Sequence, residues 1–376
     1  MFEIPGINTN QQKKDSRQKD ITFLQENIEK IHKDPYRNVS KETFTESLNT
    51  ATTVDDEFFP LAIQESLSLM RDAHTRVRKF SKNWIPLEFN YLNDGNCYVI
   101  GSREDDKKPL GAKLLAADNI PLDEVNKKLS NLSSKENNEQ LLKDLAWFIS
   151  SNEICRYYGI SHSKSTTFST DKEDFTYEDG EAKGIEIKNP LEWKDKNFIG
   201  NKYYKFIMDK DILKFQYNNC TRGEYTKKEL KDFKKRLLKA SKEAKCIIID
   251  LRQNTGGSTE IMRDVLDKFP KGTPIYVATG RKTFSSAMHH LIDLKEMKGA
   301  IQIGENAGQR PNRFGQGKEI ILPNSKIKVT CSSKDFQLMP GSDLEILKPD
   351  IPLPITIDNY INERDPLNDW IKENLN

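Results

Sequence analysis

The sequence has no Cys-x-x-Cys pair; its five cysteines, Cys97, Cys155, Cys220, Cys246 and Cys331, are odd in number and widely spread. Neither a disulfide framework nor a thiolate zinc site is indicated, so a reducing compartment such as the cytoplasm is preferred, with a mature exported form as the alternative. No run approaches the ~20 apolar residues that cross a bilayer, and the first thirty residues carry no continuous apolar stretch of the kind an export signal needs. Charge of one sign is also missing: 59 Lys and Arg against 57 Asp and Glu leave a net +2. Nothing electrostatic argues for nucleic acid or an anionic membrane as partner. Histidine is scarce, with five in the chain, which makes each one worth weighing as a base.

What is present is the balance of a globular protein, 36% hydrophobic and 31% charged over 376 residues, enough for two or three compact units. Ile21, Leu24, Ile28 and Ile31 recur at helical spacing, Ser40 is placed to cap a helix carrying Phe44 and Leu48, and a third helix is expected from about Asp56 to Arg71. After His74, stretches at 84–89 and 97–100 read as strands around Asn93-Asp94-Gly95 and open a small β-rich module. Residues 161–184 are polar, as a linker or exposed hairpin would be, and a boundary is placed near 170. The expected units are therefore a helical region over 1–80, a β module with a following helix over 81–170, and an α/β layer over 171–376. In the last, strands at 212–217, 246–250, 275–278 and 300–303 alternate with helices at 227–240, 259–269 and 286–297.

Three segments of this framework have the residue types for chemistry. Asp250-Leu251-Arg252-Gln253-Asn254-Thr255-Gly256-Gly257 runs from a buried strand into two glycines, which either turn the chain or aim consecutive N–H groups at an anion. Thr283-Phe284-Ser285-Ser286 opens a helix, where a serine either exposes a hydroxyl on a sharp turn or closes the helix as a cap. Asp72-Ala73-His74-Thr75 follows a helix end. Of the other histidines, His32 and His162 read as surface residues, whereas His289 lies one helical turn beyond Ser285 and is a second candidate base.

Taken together, the three segments resemble the C-terminal processing (tail-specific) serine proteases, the family that includes the tricorn core protease. The order is the family's: the His74 segment, a β-rich stretch near 86–135, Asp250 to Gly257, then Thr283-Phe284-Ser285, with Gly304-Glu305 matching the Gly-Glu after the next strand. The resemblance implies a crotonase/ClpP-like protease core with a PDZ-like module, needing no metal or organic cofactor. It makes Ser285 the nucleophile and assigns the oxyanion to backbone N–H groups of Gly256, Gly257 and Ser286. Many members pair the serine with a lysine about twenty-five residues on; here Gly308-Gln309-Arg310-Pro311 stands there, and an arginine cannot be a general base. The base is then His74, as in the histidine-dependent branch, with Asp343 ahead of Glu345 as the supporting acid before Pro349-Asp350. A peptide or unfolded protein is the implied substrate. The alternative is a catalytically silent peptide-binding relative, motivated by Arg310.

Overall fold

A computed structural model of the protein describes residues 9–82, 84–103, 106–178, 185–186 and 191–375. The first helix spans Thr9–Ile31 and turns Ile21, Leu24 and Ile28 into the core. Ser40 accepts the Thr43 N–H at 3.1 Å and so starts the helix Lys41–Ala51, whose Phe44 and Leu48 are buried. The third helix is shorter than its apolar pattern suggests: a 3-10 turn at Asp56–Phe58 leads into Phe59–Ser68, and Arg71 already has a positive φ of 51°. The early stop reverses the chain, and the reversal delivers His74.

Strands Leu87–Tyr91 and Cys97–Arg103 pair antiparallel around the expected turn, where Gly95 has φ +80°. A second small sheet combines Leu114–Ala117, Ile120–Pro121, Ser165–Thr170 and Phe175–Glu178. Position 170 therefore lies inside a hairpin of this sheet, and the remainder of the polar stretch, 179–184, is outside the described residues. One hydrophobic core joins Ile21 and Phe44 of the N-terminal helices to Val99, Leu129 and Phe168 of the module. The two segments expected as separate units thus bury their apolar faces against each other.

The C-terminal part is built on a seven-stranded sheet. Ile212–Tyr217, Cys246–Asp250, Ile275–Thr279, Ile301–Gly304 and Ile351–Pro352 run parallel, and Tyr204–Asp209 and Ile199–Gly200 continue the sheet antiparallel. Cys246-Ile247-Ile248-Ile249 explains why the middle is stable: Ile247 and Ile249 pack with Phe233, Leu237 and Leu291 on one face, while Ile248 packs with Trp193, Leu367 and Ile371 on the other. Each such side chain contributes ~1.5–3 kcal/mol by leaving water, and both faces are covered, as a parallel sheet requires. The helix expected over 259–269 is broken at Met262, whose φ of −128° is not helical, leaving a 3-10 turn at Thr259–Ile261 and the short helix Arg263–Leu266. Among the described residues no helix is long and apolar enough to cross a membrane.

Two further features position the site. The parallel strands end at one edge, so the loops that follow them bring Cys220, Gly256-Gly257, Ser285 and Gln309 together. A long hairpin, Asn312–Ile321 with Lys328–Gln337, then reaches back to the N-terminal region, where Val77 pairs with Val329. That two-residue strand, Arg76–Val77, anchors the segment carrying His74 above the sheet edge.

Candidate active site

Ser285 lies between the strand Ile275–Thr279 and the helix Ser286–Lys298 with φ 54° and ψ −118°, a conformation that costs a non-glycine residue ~1–3 kcal/mol. The surroundings hold it there. Thr283 donates its hydroxyl to Leu251 O at 2.9 Å, Phe284 N–H donates to Asn254 O at 3.0 Å, and Ser285 N–H donates to Gln309 Oε1 at 2.6 Å. Arg313 Nη2 donates to Ser285 O at 2.8 Å. Although Ser285 occupies the capping position, its side chain makes no capping hydrogen bond. The hydroxyl instead meets His74, with Oγ 3.0 Å from Nε2 across 211 positions of sequence.

The imidazole of His74 is held on three sides. Its backbone N–H donates to Asp72 Oδ1 at 3.0 Å, its ring stacks on Phe284 with centroids 4.9 Å apart, and its Nδ1 faces Gln309 Nε2 at 3.4 Å. Burial pushes His74 down to about 4; Asp72 opposes this, and the charges of Arg313, Arg76 and Lys143 add to it. The ring is therefore neutral near pH 7, the state in which a histidine can accept a proton. His289 does not compete for the hydroxyl: it packs edge-on against Phe336 with centroids 4.9 Å apart.

Two carboxylates stand behind His74. Asp72 is buried and accepts from Thr75 Oγ1 and faces His32 Nε2 at 3.1 Å. Burial works to raise its pKa, but the hydrogen bond from His32, the neighbouring His74 and the Thr75 hydroxyl hold it below the usual carboxylate range. Glu136 accepts from Ala73 N–H at 3.2 Å and from Gln309 Nε2 at 3.3 Å, while its Oε2 has no partner. Burial, then repulsion from Asp72, pushes Glu136 up to about 7. Asp72, His74 and Glu136 present ligand atoms within 4.8 Å of one another, the spacing of a metal cluster. Asp72 already spends its lone pairs on His74, Thr75 and His32, so the arrangement suits charge around a base better than an ion.

The expected acids are elsewhere. Asp343 is exposed, and Glu345 is an exposed partner of Arg310 at 3.9 Å, so the structure brings neither to the ring of His74. The glycine turn is at the site but is not uniform. Gly256 donates its N–H to Asn254 Oδ1 at 2.9 Å, whereas Gly257 N–H and Ser286 N–H have no acceptor among the described residues. Gly256 serves by being small: a Cβ there would lie 2.5 Å from Ser285 Cβ and 3.0 Å from Ser286 N. His32, expected at the surface, is buried against Phe314 and Asp72 because its ring turns back under the His74 loop. Gln309 lay within the segment that replaces the family's lysine without being given a role, and Glu136 carried no sequence signal at all.

Residues 211–289, which include the glycine turn and Ser285, match the model of Peptidase family S41. Over that segment the chain is similar to a family S41 peptidase. The match ends at His289; over the whole chain the likeness is one of fold alone. Mature CPAF superposes with a TM-score of 0.69 at 13% identity, covering 96% of each chain. Mature CPAF complexed with lactacystin gives 0.68 at 12% identity, covering 96% of this chain and 97% of that one. No curated protein sequence matches the chain.

Proposed function

We propose that this chain hydrolyses peptide bonds through an acyl-enzyme on Ser285, with His74 as general base. The observation that carries the reading is the 3.0 Å approach of His74 Nε2 to Ser285 Oγ on a strained serine turn. In the reaction, His74 takes the hydroxyl proton as Oγ attacks the scissile carbonyl. The carbonyl oxygen becomes negative and is received by Gly257 N–H and by Ser286 N–H, the latter at the positive end of its helix. His74 passes its proton to the departing amine, and a water activated by the same ring then releases the acyl group. While His74 is charged, Asp72 and Glu136 supply the negative charge beside it. Gln309 holds the serine backbone through its Oε1, which makes it a positioning residue in this scheme.

One observation favours a second reading. The side-chain carbonyl of Gln309 is engaged by Ser285 N–H, so its amide nitrogen, a donor, is what faces His74 Nδ1, the atom a carboxylate addresses in Ser-His-acid sites. A peptide-binding relative without turnover would tolerate that arrangement. Incubation with unfolded protein and with fluorogenic peptides separates the two: the peptidase cleaves them and Ser285→Ala does not. Equal, zero turnover by both, with peptide still bound, supports the silent reading.

A further inference from the structure

A cavity of about 920 Å³ opens between the small β module and the sheet edge. It is one side chain removed from the base: Lys143, on its wall, lies 5.0 Å over the Phe284 ring, and the same ring stacks on His74 at 4.9 Å. Trp84 and Trp147 form one wall, stacked with centroids 4.8 Å apart and 15° between planes. A flat aromatic wall of this kind gives a peptide side chain apolar area at little entropic cost.

The charges around the cavity are not all answered. Arg252 is locked between Asp250 and Asp365, Arg281 donates to Glu139 at 2.8 Å, and Lys282 faces Glu88 at 3.8 Å. Arg76 has no hydrogen bond or ion pair among the described residues, and Lys143 reaches Asp144 at 3.9 Å, with that carboxylate already taking the Ser133 hydroxyl at 2.7 Å. Arg76 is exposed and Lys143 half-buried at the cavity wall; partial desolvation lowers both, Asp144 opposes this, and Arg76 repels Lys143. Arg76, without a hydrogen-bonded or ion-paired partner among the described residues, and Lys143, with only its long contact to Asp144, stand beside the Ser285 turn and an aromatic wall and leave room for a further carboxylate.

We propose that this cavity is a specificity subsite that takes an acidic side chain of the substrate peptide, its carboxylate between Arg76 and Lys143 and its stem along Trp84 and Trp147. The assignment rests on the peptidase reading for its place beside the scissile bond. Neither cation hydrogen-bonds Ser285 or His74 among the described residues, but their charges help hold the ring neutral, so the subsite is read in the ratio of Glu to Gln peptides rather than in the absolute rate.

The test uses C-terminally amidated fluorogenic peptides in which Glu or Gln is placed at each position around the cleaved bond, assayed at pH 8. The expected result is a kcat/KM about tenfold higher for Glu than Gln at one position and a ratio near one in Arg76→Gln/Lys143→Gln, a ratio that cancels any effect of the lost charges on His74 itself. Cleavage with no preference for Glu at any position overturns the subsite and leaves the peptidase reading intact. So does a preference that appears only with a free C-terminal carboxylate. In parallel, Ser285→Ala is titrated with the same peptides and read by tryptophan fluorescence. Tighter binding of the Glu peptide, lost in the variant lacking both cations, supports the subsite even if the wild-type protein cleaves nothing, whereas equal binding of Glu and Gln peptides sinks it.

Discussion

The side-chain carbonyl of Gln309 accepts the backbone N–H of Ser285 at 2.6 Å, so the same amide that holds the serine turn also faces His74. Gln309 is fully buried, and no water is needed to explain its contacts. Replacing it by Ala releases the serine backbone and leaves Glu136 without the Gln309 hydrogen bond. We expect Gln309→Ala to lower kcat by about 10–100-fold with KM changed less than about threefold, the pattern of a lost positioning contact. An unchanged kcat would show that the amide is only packing.

A pH profile tests the carboxylates. Glu136 is pushed up to about 7 and His74 down to about 4. Above about 4 the ring is neutral and able to accept a proton; between about 6 and 8 Glu136 loses its proton and places a negative charge behind that ring. The imidazolium of the transition state gains from this charge, so kcat/KM rises with pH through about 7. In Glu136→Gln that limb disappears, leaving a lower plateau that falls only as pH approaches about 4. Persistence of the limb near 7 in the variant would assign it to another group.

Gly256 gives a steric prediction. Its φ is +94°, and a Cβ would press on Ser285 Cβ at 2.5 Å and Phe284 O at 2.9 Å. Gly256→Ala must displace the nucleophile turn, since the obstructing atoms are backbone or close to it. The expected effect is a loss of more than about 100-fold in kcat/KM together with ~1–3 kcal/mol of stability, read by urea unfolding. An active, equally stable variant would mean that the turn relaxes freely.

Much of this site was legible in the sequence, for physical reasons that differ by residue. Ser285 and the glycine pair are legible as turn residues, but only the family order separates a nucleophile turn from a helix cap and an anion-facing pair from a simple turn. His74 was legible only through its place in a family order, because nothing local reveals a partner 211 positions away. Glu136 sits in the polar run Ser133-Ser134-Lys135-Glu136-Asn137, where a buried carboxylate and a solvated one look alike. His32 misled for the complementary reason: charged neighbours such as Lys30 and Lys33 suggest a surface, whereas the ring alone turns inward to Asp72. In the fold, the parallel strands were readable from their apolar runs. The break at Met262 and the shared core of the first two segments depend on contacts between distant parts of the chain.

The central claim is that His74 activates Ser285. Its most direct measurement is the second-order rate of labelling by a fluorophosphonate probe near pH 7.5, with the adduct located by mass spectrometry. The account predicts an adduct on Ser285 in the wild-type protein, none in Ser285→Ala, a rate reduced by at least about 100-fold in His74→Ala, and a rate within about threefold of wild type in His289→Ala. Labelling that survives His74→Ala but is abolished by His289→Ala would contradict it.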